Sequence, residues 1–158
     1  MSKLLNQDPS LQLYIDYNTG EHRETIDVNA CFYDLGSDVC DALPFFHCFT
    51  GADSTCSFFK KSKKSLYGSW MKSESKEELT STFKNLSNLP TEDIINESAE
   101  IIYQFVVAVY GGPQNVDLNS YRFSSFQQLC SNDLRCLPPT QDSLLLHIKR
   151  SAYQAGWI

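Results

Sequence analysis

The chain has 158 residues, of which 42% are hydrophobic, 13% aromatic and 20% charged, a composition that excludes wholesale disorder and suits one domain around a single core. Its net charge of −6 argues against a protein that binds nucleic acid over its whole surface. No apolar run approaches the length of a membrane span, and stretches such as Phe105 to Tyr110 are core-sized.

The stretch "LQLYIDYNTGEHRETIDV" alternates apolar and polar residues on both sides of Asn18-Thr19-Gly20. It predicts a β-hairpin within 10–30, with strands near 11–17 and 22–28 around a glycine-containing turn. Ser37 then reads as the N-cap of a helix over "DVCDAL". Pro44 is expected to interrupt that helix and to open a second, apolar one, "PFFHCF", which Gly51 ends. Leu66 and Trp70 share a helical face. Ser75 to Glu78 has the form of a capping box, and Leu79, Phe83 and Leu86 follow at i, i+4 and i+7.

The longest helix is predicted near 92–110. Thr91 caps it, Glu92 and Asp93 suit its positive end, and Ile94, Ile95, Ile101, Ile102, Phe105, Val106 and Val109 form a wide apolar stripe. Gly111-Gly112-Pro113 stops it. Tyr121, Phe126, Leu129 and Cys130 suggest a further short helix. Leu137-Pro138-Pro139-Thr140 introduces the last, with Leu144, Leu145, Ile148 and Ala152 inward. No repeat or linker divides the chain. The expected fold is a single, mainly helical domain over 1–158, with its hairpin at 10–30 and its helical part at 37–158.

Six cysteines (Cys31, Cys40, Cys48, Cys56, Cys130, Cys136) form no CxxC pair. The N-terminal segment turns polar too soon for a signal peptide, so an intracellular location, cytoplasmic or nuclear, is expected, with reduced thiols packed as small hydrophobes. His47 and Cys48, flanked by Cys40 and Cys56, form a zinc ligand set only at a spacing foreign to known fingers, and buried thiols are the preferred reading. The other histidines are His22 and His147. Adjacent His47 and Cys48 diverge on a helix and make no nucleophile–base pair, and His147 suits packing.

Charge is unevenly spread. Residues 57–76 hold six lysines (60, 61, 63, 64, 72, 76) against Glu74 alone, a local +5, so the remainder carries −11 of the net −6. Such a patch can focus on phosphates; the competing reading is a solvated lysine face that keeps the chain soluble.

The segment "LPFFHCFTGADSTCSFFKKSKKSLYGSW" resembles the core "LPxxHAFTGCDTTSxFFGKGKKxAWxxW" of a family of largely uncharacterised, mobile-element-like animal proteins. Its order of apolar helix, Gly-x-Asp, basic run and helix also resembles the flap-endonuclease branch of the PIN-like nucleases. The likeness runs from about residue 11 to the end. "LQLYIDYNTGEHRETIDV" is similar to that family's "LWIxFGTGKxxRYIPI", "YQFVVAVYG" to "ERFVVLMYD", and "LPPTQDSLLLHIKRSAYQAGWI" to "LPPTxxALLQHxKRAxYQAGxxW".

The resemblance implies a remnant of a PIN-like α/β fold. It makes Asp53 a candidate catalytic residue and metal ligand, with Mg²⁺ or Mn²⁺ as the cofactor of any retained activity. Lys60, Lys61, Lys63 and Lys64 become candidate nucleic-acid-binding residues on a hairpin whose amides hold a phosphate.

Three departures bear on these expectations. Lys60 and Ser62 stand where the family has glycines, which permit positive φ and close backbone approach. Ala52 replaces the cysteine of GCD. The partner acids of such nucleases lie on strands preceding the hairpin, whereas here the acids on offer are Asp16, Asp27, Asp38 and Asp41, in no TDxxxL-type strand. Asp53 thus keeps two readings, metal ligand and helix N-cap. The expected function is a truncated or degenerate PIN-like nuclease segment, non-catalytic as it stands, with weak sequence-independent nucleic-acid binding. The alternatives are a non-enzymatic module for an acidic or nucleic-acid partner, and part of a metal-dependent nuclease completed by upstream sequence. No membrane partner is expected.

Overall fold

The structure, a computed structural model, describes residues 10–157 apart from 19, 21–22 and 130–132. Thr19 and His22 of the expected hairpin, and Cys130, lie outside the described residues. These residues form two compact units, one up to Asp41 and one from Ala42 onward, and the chain is mainly helical with an N-terminal hairpin.

In the first unit, β1 (Tyr14–Tyr17) pairs antiparallel with β2 (Glu24–Asp27), with Tyr14 opposite Asp27 and Ile15 opposite Ile26. Asn18 and Gly20 take φ of 65° and 67°, the left-handed values a tight hairpin turn requires. Asp16 receives the Arg23 guanidinium and the Thr25 hydroxyl on the exposed face. A helix that the sequence pattern did not suggest follows at once: α1 (Val28–Leu35). Its start signal is Asp27, whose carboxylate accepts from the Ala30 amide at 3.0 Å. Asn29 ties α1 to the segment before β1, accepting from the Leu13 amide at 2.9 Å and donating to the Leu11 carbonyl at 2.7 Å. Gly36, with φ of 80°, ends it.

Helix α2 spans Ser37–Phe49 without a break, so the expected division at Pro44 does not occur. A proline inside a helix removes one amide donor and crowds the preceding turn. Here the next amide, that of Phe45, is held by the Ser87 hydroxyl at 3.1 Å, and burial of Phe45, Phe46 and Phe49 carries the helix past the defect.

The second unit adds α3 (Lys63–Met71), α4 (Lys76–Leu86), α5 (Glu92–Val109), α6 (Leu118–Gln127), a 3-10 turn at Leu134–Cys136 and α7 (Gln141–Ala155). Leu66 and Trp70 of α3 and Leu79, Phe83 and Leu86 of α4 are buried, as their spacing predicts. The expected capping box differs: α4 starts where foreseen, but the Ser75 side chain makes no cap bond. On α5 the buried side runs through Ile95, Ala99, Ile102, Phe105 and Val106, while Ile94 is exposed and Ile101 half-buried. Ser98, Tyr103 and Val107 are buried as well, so the inward face is rotated away from Ile94 and Ile101 rather than centred on the isoleucine pairs. Leu144, Ile148 and Ala152 of α7 point inward as expected, with Leu145 half-buried.

The core centres on Phe83. Its ring meets those of Trp70 at 5.1 Å, Phe45 at 5.5 Å, Phe105 at 5.8 Å, Phe46 at 6.1 Å and Phe49 at 6.4 Å. Four helices, α2, α3, α4 and α5, converge on this one side chain. The buried Trp70 indole is satisfied by the Thr80 hydroxyl at 3.1 Å, so the large ring adds apolar area without an unpaired donor. Among the described residues no helix is long and apolar enough to cross a membrane.

Replacing Phe83 by alanine is expected to destabilise the fold by about 3–5 kcal/mol, read as a lowered denaturant midpoint. A loss below about 1 kcal/mol would contradict its place at the centre of the core.

Candidate nucleic-acid interface

The segment between α2 and α3 is organised by the end of α2. A helix leaves its last four carbonyls without intrahelical amide partners, and here each one is met from outside the helix. The Phe46 carbonyl accepts from the Thr50 hydroxyl at 2.8 Å and from its amide at 3.0 Å. The His47 carbonyl accepts from the Lys63 ammonium at 2.7 Å. The Cys48 carbonyl accepts from the Thr55 hydroxyl at 2.5 Å, and the Phe49 carbonyl from His147 Nε2 at 2.8 Å. Gly51 makes the exit with φ of 107°, and a Cβ there would lie 2.8 Å from Ser57 Cβ, so only glycine fits.

Asp53 sits at the tip of the turn that follows. The turn is closed by the Thr55 amide on the Ala52 carbonyl at 3.1 Å and by the Ala52 amide on the Thr55 hydroxyl at 2.8 Å. No helix starts here, so Asp53 is not an N-cap; the next helix is capped by Ser62, whose hydroxyl accepts from the Ser65 amide at 3.1 Å. The Asp53 carboxylate is exposed.

Among the described residues no group of three or more His, Cys, Asp or Glu side chains is placed to hold a metal ion. Asp16 and Asp27 are engaged in the hairpin and the α1 cap, and Asp38 and Asp41 lie in the first half of α2. A lone carboxylate does not fit the two-cation chemistry of phosphodiester hydrolysis, which needs several hard oxygens together. The zinc reading finds no support either, because His47 Nδ1 faces the Lys63 ammonium at 3.0 Å. Only some thiols are buried as expected: Cys48 is, with its pKa pushed up by burial, whereas Cys31 and Cys56 are exposed.

The four lysines divide into two pairs. Lys61 donates to the Val109 carbonyl at 2.9 Å, at the C-terminal end of α5, and lies 4.9 Å from the centre of the Tyr110 ring. Lys63 serves the end of α2, and burial pulls its pKa below the usual 10.5. Both answer the partial negative charge of a helix C-terminus. Lys60 and Lys64 are exposed, as Lys63 is, but are not bonded to a helix-end carbonyl; the Lys60 ammonium lies 5.1 Å from the Phe59 ring centre.

Lys60 also adopts φ of 56°, in a turn closed by the Lys61 amide on the Phe58 carbonyl at 3.1 Å. The left-handed bend that a glycine would provide is thus kept by a lysine, while Ser62 does different work as the α3 cap. Motif reading groups the four lysines by adjacency; what it misses is that cations near a helix end are recruited to its carbonyls, a signal present in the order helix, Gly51, lysines.

His147 lies between Phe49 at 5.2 Å and the edge of Phe58 at 5.7 Å. Burial pushes its imidazole below the ordinary 6.5; the bond to the Phe49 carbonyl opposes this and Arg150 adds to it. Nε2 is thus the donor of a neutral ring.

Compared with known protein families, curated proteins and solved structures, the chain matches none.

Two outcomes follow from these residues. Lys60→Gly is expected to raise stability by about 0.5–1 kcal/mol by relieving the left-handed cost, and Lys60→Val to lower it by at least as much; equal midpoints would show the bend to be unstrained. For His147, the unfolded chain takes up a proton near pH 6.5 that the fold refuses until lower pH. Stability is therefore full above 6.5 and falls as pH drops toward the depressed value, by at most about 1.4 kcal/mol per pH unit. Thermal unfolding of wild type and His147→Gln across this range checks it: the variant should lose that part of the acid slope, and identical slopes would be inconsistent with a buried neutral imidazole.

Proposed function

We propose that the chain is a degenerate PIN-like nuclease segment that no longer cuts and that holds a nucleic-acid backbone weakly, without sequence preference, at residues 60–64. The observation that carries this reading is the left-handed Lys60 followed by the Ser62 cap. That backbone path opens α3 with the amides of Lys63 and Lys64 lacking intrahelical partners, beside the exposed ammoniums of Lys60 and Lys64. Amides at a positive helix end and two exposed cations suit phosphate oxygens, and the acidic remainder of the chain, with Asp133 beside Lys60, keeps the affinity low. The resemblance of "GADSTCSFFKKSKK" to a phosphate-holding hairpin supports the same site.

The split of the lysines sets the expected electrostatics. With two exposed cations not bonded to a carbonyl, binding of a labelled duplex should show a log–log salt slope of roughly −2, at about −0.9 per phosphate neutralised. Fluorescence anisotropy across a salt series measures it. Lys60→Ser/Lys64→Ser should nearly abolish the slope, and Lys61→Met should lower thermal stability instead. No binding at low salt, or an unchanged slope in the double variant, would overturn the reading.

Purified protein is expected to show no Mg²⁺- or Mn²⁺-dependent cleavage of flap, hairpin or single-stranded DNA, because the motif supplies one carboxylate. Metal-dependent cleavage that vanishes in Asp53→Ala would contradict this and would require partner acids among Asp16, Asp27, Asp38 and Asp41.

A further inference from the structure

A cavity of about 420 Å³ opens beside the lysine loop, within the range of small-ligand sites. Phe58, Phe59 and Tyr110 line it on the loop side, and Leu144 and Leu146 of α7 line the other. The walls are apolar, yet cations gather on them. The Arg135 guanidinium stands 4.5 Å from the Phe59 ring centre, Lys60 lies 5.1 Å from the same ring, and Lys61 lies 4.9 Å from that of Tyr110. Arg150, exposed, with Ser57, Ser143 and His147 adds polar groups to the lining itself, whereas Arg135, Lys60 and Lys61 reach the cavity's surroundings through the rings of Phe59 and Tyr110. Asp133 neutralises part of this charge, since its carboxylate accepts from Arg135 Nε at 2.8 Å.

We infer that this cavity seats the unpaired base of a nucleotide whose phosphate lies at residues 60–64, so that the protein favours single strands over duplex. The inference rests on the phosphate-binding reading and adds a second element to it. An aromatic-walled cavity with basic groups on its rim matches a flat, weakly polar body joined to a negative group. A base in a duplex is stacked on both faces and cannot enter, whereas an unpaired base reaches in at no unpairing cost. An acidic peptide carrying aromatic side chains offers similar charge, but it lacks the tetrahedral oxyanion that the bend at Lys60 and the α3 amides suit.

The test compares, at one low salt concentration, an oligothymidylate, a strand of equal length with abasic spacers, and a duplex. The base-bearing strand is expected to bind about tenfold tighter than the abasic strand, within the range found for one base on an aromatic surface, and tighter than the duplex. Phe59→Ala should bring its affinity to the abasic level. The abasic comparison leaves the protein unaltered, so it stays decisive if Phe59→Ala folds poorly. Equal binding of the base-bearing and abasic strands by wild type overturns the inference. So does displacement of the strand by a glutamate–tyrosine copolymer at lower concentration than by thymidine monophosphate. Base-dependence with no effect of Lys60→Ser/Lys64→Ser on the salt slope sinks the phosphate reading alone; an intact slope without base-dependence sinks the cavity alone.

Discussion

A helix that ends against a core leaves four carbonyls without intrahelical partners, three of them buried or half-buried here, and the second unit is arranged around meeting this demand at the end of α2. Thr50 and Thr55 come from the exit loop, Lys63 from the start of α3, and His147 from a position 98 residues further along the chain. Each bond is worth about 1 kcal/mol net, but leaving a buried carbonyl unpaired costs more, so the four together hold the exit loop, α3 and α7 in place. Phe83 does the corresponding apolar work from the same neighbourhood, since three of the rings it meets, Phe45, Phe46 and Phe49, lie on the final turns of α2.

This demand redistributes the charge of the basic run. Four adjacent lysines suggest one patch of uniform purpose. Two of them are instead drawn to the negative ends of α2 and α5, where each contributes about 0.3–1 kcal/mol and has its range of movement curtailed. Exposed positive charge not bonded to a helix end is left at Lys60 and Lys64, on either side of the α3 cap. The positive charge on this surface that is not bonded to a helix end is therefore small.

Periodicity reported the helices whose apolar faces are long and regular, so α4, α5 and α7 were legible from Leu79-Phe83-Leu86, from Thr91 with the isoleucines, and from Pro139-Thr140 with Leu144 and Ile148. Two features were not. Helix α1 is short, has no fully buried residue and is announced only by the Asp27 cap, so it has no buried stripe to read. The continuity of α2 through Pro44 depends on Ser87, 42 residues away, a tertiary fact that overrides a local rule. At the candidate site, spacing groups the residues by type and leaves out what their side chains bond to. Thr55, Lys63 and His147 act through bonds to carbonyls, which a side-chain motif does not name, and the bend at Lys60 is made by a residue that local preference argues against.

The most direct test is nitrogen-15-detected NMR of the lysine ammoniums, assigned by single substitution. The account predicts that the Lys61 and Lys63 ammoniums show slow proton exchange and through-bond coupling to carbonyl carbons, that Lys63 titrates below the usual 10.5, and that Lys60 and Lys64 exchange rapidly. Four ammoniums exchanging alike, with Lys63 titrating at or above 10.5, would contradict it.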